Sequence, residues 1–241
     1  MNMTESLTVD RIAWGHCEGK LYALAVHPLR EEFATSGEDK TLRIWGIRQH
    51  EQLNLRQLPV ACRSLAYNPS GDVLCMGMDD GSVSLVEANT LNLRVYISWR
   101  HSMQPISIAK FSPDGSTLAI ASEDHNLYLY RRNSNNKYYV KQAVCQGHSG
   151  IVRHVDFSSN SQYIASCCDA SALLYWDTRG NLFKDPHVLR DETWQSKGVR
   201  TAIYGWAVQG LGSQPIQTLC AMPDVGDIVT GDTDGNICVY R

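Results

Sequence analysis

Five stretches of the chain repeat one plan of apolar and polar positions. Each opens with an apolar run that ends in a polar turn and continues through a strand of small and apolar residues. It then turns around an aspartate and closes on a strand ending in an aromatic or apolar residue. Four opening runs read LYALAVHP, SLAYNPSG, IAKFSPDG and HVDFSSNS. Asn68-Pro69-Ser70-Gly71 and Ser112-Pro113-Asp114-Gly115 are turn signals, because proline presets φ and glycine accepts positive φ. The strands after them, FATSG, VLCMG, LAIAS and YIASC, suit an inner position with sheets on both sides. The closing strands are DKTLRIW (39–45), DGSVSLV (80–86), DHNLYLY (124–130), DASALLYW (169–176, one residue longer) and DGNICVY (234–240). The pattern predicts short antiparallel strands throughout, with no long helix outside one insertion.

The closing positions are 45, 86, 130, 176 and 240, so the steps are 41, 44, 46 and 64. The first three match the about 40–45 residues of a WD-type propeller blade. The expected fold is therefore all-β: WD-repeat β-propeller blades in one domain over 1–241, with repeats at roughly 9–46, 47–87, 88–131, 132–177 and 178–241. The long last step places an insertion at about 178–215. Five repeats are fewer than the roughly seven of a common ring, and an open arc exposes blade faces. Three arrangements satisfy the count: a piece of a longer chain, an arc completed by a partner, or a tight five-bladed ring.

Bulk properties narrow the function. The 241 residues are enough for a large core, and 43% hydrophobic with 20% charged is a globular balance. A net charge of −3 supplies no field that would draw the chain to nucleic acid. No apolar stretch approaches membrane-spanning length, and MNMTESLTVD is not a secretory leader, which points to the cytosol. The eight cysteines form no C-x-x-C pair and lie mostly in apolar runs, as buried thiols do. In a strand, Cys167 and Cys168 face opposite sides, which suits no shared metal. Asp79-Asp80-Gly81 and Asp232-Thr233-Asp234-Gly235 read as hairpin turns rather than Ca²⁺ loops. No metal, cofactor or membrane is expected.

Within the repeats a polar set recurs. The first offers Gly15 and then His16, Ser36, Asp39 and Trp45; the fourth offers Gly147 and then His148, Ser166, Asp169 and Trp176, followed by Asp177. The third keeps His101 and Asp124 but has Tyr130 in the tryptophan position, and the second and fifth lack the histidine. In WD repeats such a histidine, hydroxyl, aspartate and tryptophan form a buried hydrogen-bonded tetrad. A recurring, mutually satisfied network builds blades and is not a catalytic triad. There is also no G-x-S-x-G elbow, nucleotide loop or metal cluster, so no enzyme is expected.

The flanking residues resemble the echinoderm microtubule-associated protein-like family over nearly the whole chain: WGHCEGKLYALAVHP (14–28), SEDHNLYLYRR (122–132), GHSGIVRHVDFSSNSQYIASCCDASALLYWD (147–177) and GDTDGNICVYR (231–241). The insertion is similar as well. Trp194 matches one family landmark, and Gly205 to Leu211, containing Trp206, matches a second; Gly212-Ser213 stand where the family has Trp-Pro. Family members carry two fused propellers, and this chain looks like the C-terminal part of the second. The resemblance implies a non-catalytic scaffold that interacts with tubulin, microtubules or an axonemal or other cytoskeletal assembly. It implies a place in the cytoplasm on the cytoskeleton, the cilium or flagellum included. The family's affinity for microtubules is largely associated with segments outside this chain: a coiled coil, a basic region and a motif at the start of the first propeller. The competing assignment is a WD adaptor subunit of a multiprotein complex, without tubulin binding.

Two segments are candidate interfaces. RRNSNNKYYVK (131–141) carries Arg131, Arg132, Lys137 and Lys141 with Tyr138 and Tyr139 and no acid, a local cationic loop suited to the acidic surface of tubulin. In the insertion, Trp194, Tyr204 and Trp206 are either interface anchors or aromatics packed on the blades.

Overall fold

The computed structural model describes residues 15–16, 19–88, 95–133, 139–170, 172–189 and 192–195, and the strands at 216–221, 228–232 and 237–240. These residues form five antiparallel sheets. The first holds β1 (Leu21–Val26), β2 (Glu32–Gly37), β3 (Thr41–Gly46) and β4 (Glu51–Gln57). The second holds β5 (Cys62–Tyr67), β6 (Val73–Met78), β7 (Ser82–Glu87) and β8 (Val95–Arg100). The third holds β9 (Ile106–Phe111), β10 (Thr117–Ser122), β11 (Leu127–Arg132) and β12 (Tyr139–Cys145). Three-stranded sheets follow: β13 (Val152–Phe157), β14 (Tyr163–Cys168) and β15 (Leu173–Asp177), then β16 (Ile216–Ala221), β17 (Ile228–Asp232) and β18 (Ile237–Tyr240). No α-helix occurs among the described residues; the insertion contributes one 3₁₀ turn, Pro186–Leu189.

Each of the first three sheets takes its outermost strand from the beginning of the following repeat. Among the described residues the fourth sheet has only a trace of such a strand, where Leu182 bridges Trp176 and the Phe183 N–H donates to the Tyr175 carbonyl.

The core lies between sheets, as in a propeller. Successive side chains on a strand point to opposite faces, so each middle strand serves two neighbours. On β10, Leu118 and Ile120 pack with Val83 and Leu85 of the second sheet, while Ala119 and Ala121 pack with Val155 and Phe157 of the fourth. β6, β10 and nearly all of β14 are consequently buried along their length rather than alternating. The described cysteines Cys62, Cys75, Cys145, Cys167 and Cys168 are free thiols within this packing. Burial pushes the Cys62 thiol up to about 11 and the Cys145 thiol up to about 12.

The turns after the first strand of the first four sheets share one device. A side-chain acceptor at the strand end caps backbone N–H groups that the turn leaves unpaired. His27 Nδ1 accepts from Leu29 and Arg30, Asn68 Oδ1 from Val73, Ser112 Oγ from Thr117 and Ser158 Oγ from Tyr163. Three residues later the backbone turns left-handed, at Gly71 (φ 74), Gly115 (φ 69) and Ser161 (φ 62).

One face of the first sheet is uncovered among the described residues. Leu21, Leu24 and Val26 are 53%, 57% and 59% exposed, whereas Cys62 and Leu65, which hold the places of Leu21 and Leu24 one blade later, are 0% and 8% exposed. Ala34, Leu42 and Ile44 of the first sheet cover that face of the second. Among the described residues nothing of this kind covers the first, and an open apolar hollow of about 370 Å³ lies beside Leu21, Leu24, Phe33 and Trp45.

Candidate functional site

The tetrad of the first blade is built on β2 and β3, with His16 reaching in from the preceding loop. His16 Nδ1 lies 2.8 Å from both carboxylate oxygens of Asp39, so it carries the proton and donates. Its Nε2 then accepts from the Thr35 hydroxyl at 2.9 Å, and Thr35 Oγ1 accepts the Trp45 indole N–H at 2.7 Å. Burial works against the Asp39 carboxylate, but hydrogen bonds from His16 and Thr41 outweigh it and hold its pKa below the usual value. Ser36, expected in this network, is outside it: its hydroxyl donates to the Cys62 carbonyl at 3.0 Å. The reason is strand alternation, which sends Thr35 and Ser36 to opposite faces, and the face of Trp45 is that of Thr35. Thr35→Val is expected to cost about 1–3 kcal/mol, because it removes the hydroxyl that serves both His16 and Trp45. Ser36→Ala, losing one hydrogen bond, is expected to cost no more than about 1 kcal/mol. Urea unfolding of the two variants measures the difference.

In the fourth blade, Ser166 Oγ accepts from Trp176 Nε1 at 2.8 Å and bonds His148 Nε2 at 2.7 Å. Asp169 does not join them. Strand pairing places Ser166 in the position of Thr35 and Trp176 in that of Trp45. The same register puts Ala170 where the first blade has Asp39: the two hairpins are equally long between their paired strands, and the aspartate stands one place earlier in the fourth. Asp169 instead occupies the position of Glu38, and its carboxylate lies 3.4 Å from Arg153 Nη2. His148 Nδ1 is left buried with no hydrogen-bond partner among the described residues, and burial lowers the pKa of this ring. In the third blade, Tyr130 in the tryptophan position bonds His101 Nδ1 through its hydroxyl at 2.9 Å. Asp124 there accepts from the Tyr128 hydroxyl at 2.6 Å.

The same register reveals a rim that motif reading missed. Glu38, Asp79, Glu123 and Asp169 occupy equivalent positions beside the second hairpin turn of four consecutive blades. Arg63 Nε lies 2.6 Å from Asp79 and its Nη1 3.8 Å from Glu123, with the guanidinium 4.7 Å over the Tyr22 ring. It thus ties three blades together, and Arg153 with Asp169 repeats the first of these pairs. The signal was present in the sequence as an acid directly before or at each turn aspartate.

The cationic hairpin is at the opposite ends of the strands. Arg131 and Arg132 are exposed where β11 ends. Lys141 on β12 is exposed too, with its ammonium 5.1 Å from the Tyr128 ring centre. Tyr139 points inward, buried against Phe111, and its hydroxyl donates to the Gly115 carbonyl at 2.7 Å. Lys137 and Tyr138 lie outside the described residues, as do Tyr204 and Trp206. Trp194 is half-buried. It bridges Ser158 at the end of β13 and sits 5.7 Å from the Tyr175 ring, so this tryptophan packs on the fourth blade.

Comparison with known proteins matches this arrangement of blades. The family model for the echinoderm microtubule-associated protein second beta-propeller covers residues 21–241. The 77 kDa echinoderm microtubule-associated protein of Lytechinus variegatus is 30% identical over 228 residues, which is 92% of this chain and 34% of that protein. Human echinoderm microtubule-associated protein-like 2 is 32% identical over 201 residues, 83% of this chain and 30% of that protein. Human echinoderm microtubule-associated protein-like 1 is 27% identical over 232 residues, 95% of this chain and 28% of that protein. The chain thus spans about a third of the length of these curated relatives. Its sheets, their order and the extent of the match together show that the chain belongs to the echinoderm microtubule-associated protein family, in the part that forms the second β-propeller.

Proposed function

We propose that the chain is a non-catalytic scaffold that docks on microtubules through the cationic end of its third blade. The observation that carries this is the placement of Arg131 and Arg132, exposed at the end of β11 and on the opposite side from the acidic rim. Such an arrangement orients a protein of net negative charge on an acidic lattice, with the rim turned away. The relatives support the reading, since they are microtubule-associated proteins by name. The setting is then the cytoplasmic cytoskeleton, the cilium or flagellum among its sites. A scaffold role also agrees with the tetrads, whose hydroxyls and imidazoles are engaged in bonding one another. The uncovered face of the first sheet supports completion by a further blade-like surface, from a longer protein or from a partner.

The test is co-pelleting of the soluble, monomeric chain with stabilised microtubules across a salt series. Pelleting that falls with salt, and that Arg131→Glu/Arg132→Glu reduces at least about tenfold, is the expected result; charge reversal of two docking residues accounts for that size. A chain that stays in the supernatant at low salt overturns the proposal and favours the adaptor without tubulin contact.

A further inference from the structure

The second blade has kept its tetrad aspartate and lost the histidine, and a cavity stands where the ring would be. The first two blades share one register displaced by 41 residues: Phe33 pairs Trp45 as Leu74 pairs Val86, and Thr35 pairs Arg43 as Met76 pairs Ser84. His16 therefore corresponds to Gln57, Thr35 to Met76, Asp39 to Asp80 and Thr41 to Ser82. In the first blade the His16 ring touches Thr35, Asp39 and Thr41. In the second, Gln57, Met76, Asp80 and Ser82 all line one cavity of about 320 Å³ between the first and second sheets. Gln57 itself is exposed and does not fill it.

The lining joins an apolar floor to a polar wall that includes Arg56, Ser84 and Ser98 besides Asp80. Leu58, Met76 and Met78 are buried and give an apolar floor; methionine adapts its shape to a guest. The Asp80 carboxylate faces the same space. Its Oδ1 accepts from the Ser82 N–H at 3.0 Å and the Ser82 hydroxyl at 2.6 Å, as Asp39 Oδ1 accepts from the Thr41 N–H at 3.0 Å. The preserved acceptor is thus held in the orientation that, one blade earlier, receives an imidazole N–H. A guest must supply a flat apolar ring and a donor at its edge.

We infer that this cavity is a binding site for an imidazole ring, supplied in trans by a histidine side chain of a partner polypeptide that completes the second tetrad. The ring lies on Met76 and Met78 and donates its N–H to Asp80. The inference is independent of the microtubule reading, since neither Arg131 nor Arg132 lines the cavity.

The full chain, labelled at its methionine methyl groups, is titrated by NMR at pH 8 with imidazole, with N-acetyl-histidine amide and with toluene. Imidazole is expected to move the Met76 and Met78 signals saturably, with a Kd of about 1–10 mM, the range open to so few atoms. N-acetyl-histidine amide is expected to bind at least as tightly, and toluene at least about tenfold more weakly, since it lacks the N–H. Gln57→His, which places a ring in the seat from within, is expected to abolish the imidazole response and raise Tm. The inference fails if neither methyl signal saturates, if toluene equals imidazole, or if Gln57→His still binds. Binding of imidazole without N-acetyl-histidine amide overturns the polypeptide occupant.

Discussion

Lys110→Met is expected to destabilise the protein by about 3–5 kcal/mol, the loss seen when one partner of a buried ion pair is removed. Lys110 on β9 reaches across to β13, where its Nζ lies 2.5 Å from Asp156 Oδ1. Asp156 is 0% exposed. Its ionised form is thus held in a site that water does not reach, between the third and fourth blades. Without the ammonium, the carboxylate must either remain charged and poorly solvated or take up a proton, and both oppose folding. His154 is on the same face of β13; burial lowers its pKa, while the Asp156 carboxylate acts in the opposite direction. Urea unfolding at pH 7 measures the effect. The double variant Lys110→Met/Asp156→Leu is expected to recover most of the loss, because two apolar groups remove the unpaired charge. A single-variant loss below about 1 kcal/mol would show that the pair is solvated in solution.

Trp176→Ala is expected to cost a similar about 3–5 kcal/mol, for a different reason. Trp176 is 2% exposed and packs with Phe157, Ile164 and Leu129 in the core shared by the third and fourth blades. Its removal leaves a cavity between two packed sheets that the surrounding strands cannot fully close. It also takes the indole donor from Ser166 Oγ. Trp176→Phe separates the contributions: it keeps most of the ring and is expected to lose only about 1–2 kcal/mol, from the hydrogen bond and the smaller cavity. Unfolding curves for the two variants check the ordering, which a solvent-facing tryptophan would not give.

Much of the architecture is legible in the sequence because its signals are local. The 68–71 and 112–115 turns, the aspartate hairpins and the small-residue strands each answer to backbone chemistry within a few residues. The errors arise where pairing between strands decides. Thr35 and Ser36 are adjacent hydroxyls, and only the pairing of Phe33 with Trp45 tells which one shares a face with the indole. Asp169 looks like a tetrad aspartate by spacing from His148. Its hairpin is as long as that of the first blade, but the aspartate stands one place earlier, on the rim, and counting from the closing tryptophan rather than from the histidine would have exposed this. Tyr138 and Tyr139 raise the same question of alternation, and for Tyr139 the answer is inward. The Lys110–Asp156 pair joins residues 46 apart in sequence on separate sheets, so no motif announces it.

The borrowing of each outermost strand from the following repeat gives the nascent chain a schedule. When Trp45 has left the ribosome, the first sheet still lacks β4, and it closes only once residues 51–57 have emerged. Each blade is therefore stapled shut by its successor, and every stage of synthesis presents one provisional edge awaiting the next few residues. Chains that fold from the N-terminus as they are made are guarded in this way against pairing prematurely with another copy. In the fourth sheet the Trp176–Leu182 bridge is the part of this staple found among the described residues, and it comes from the chain immediately after β15.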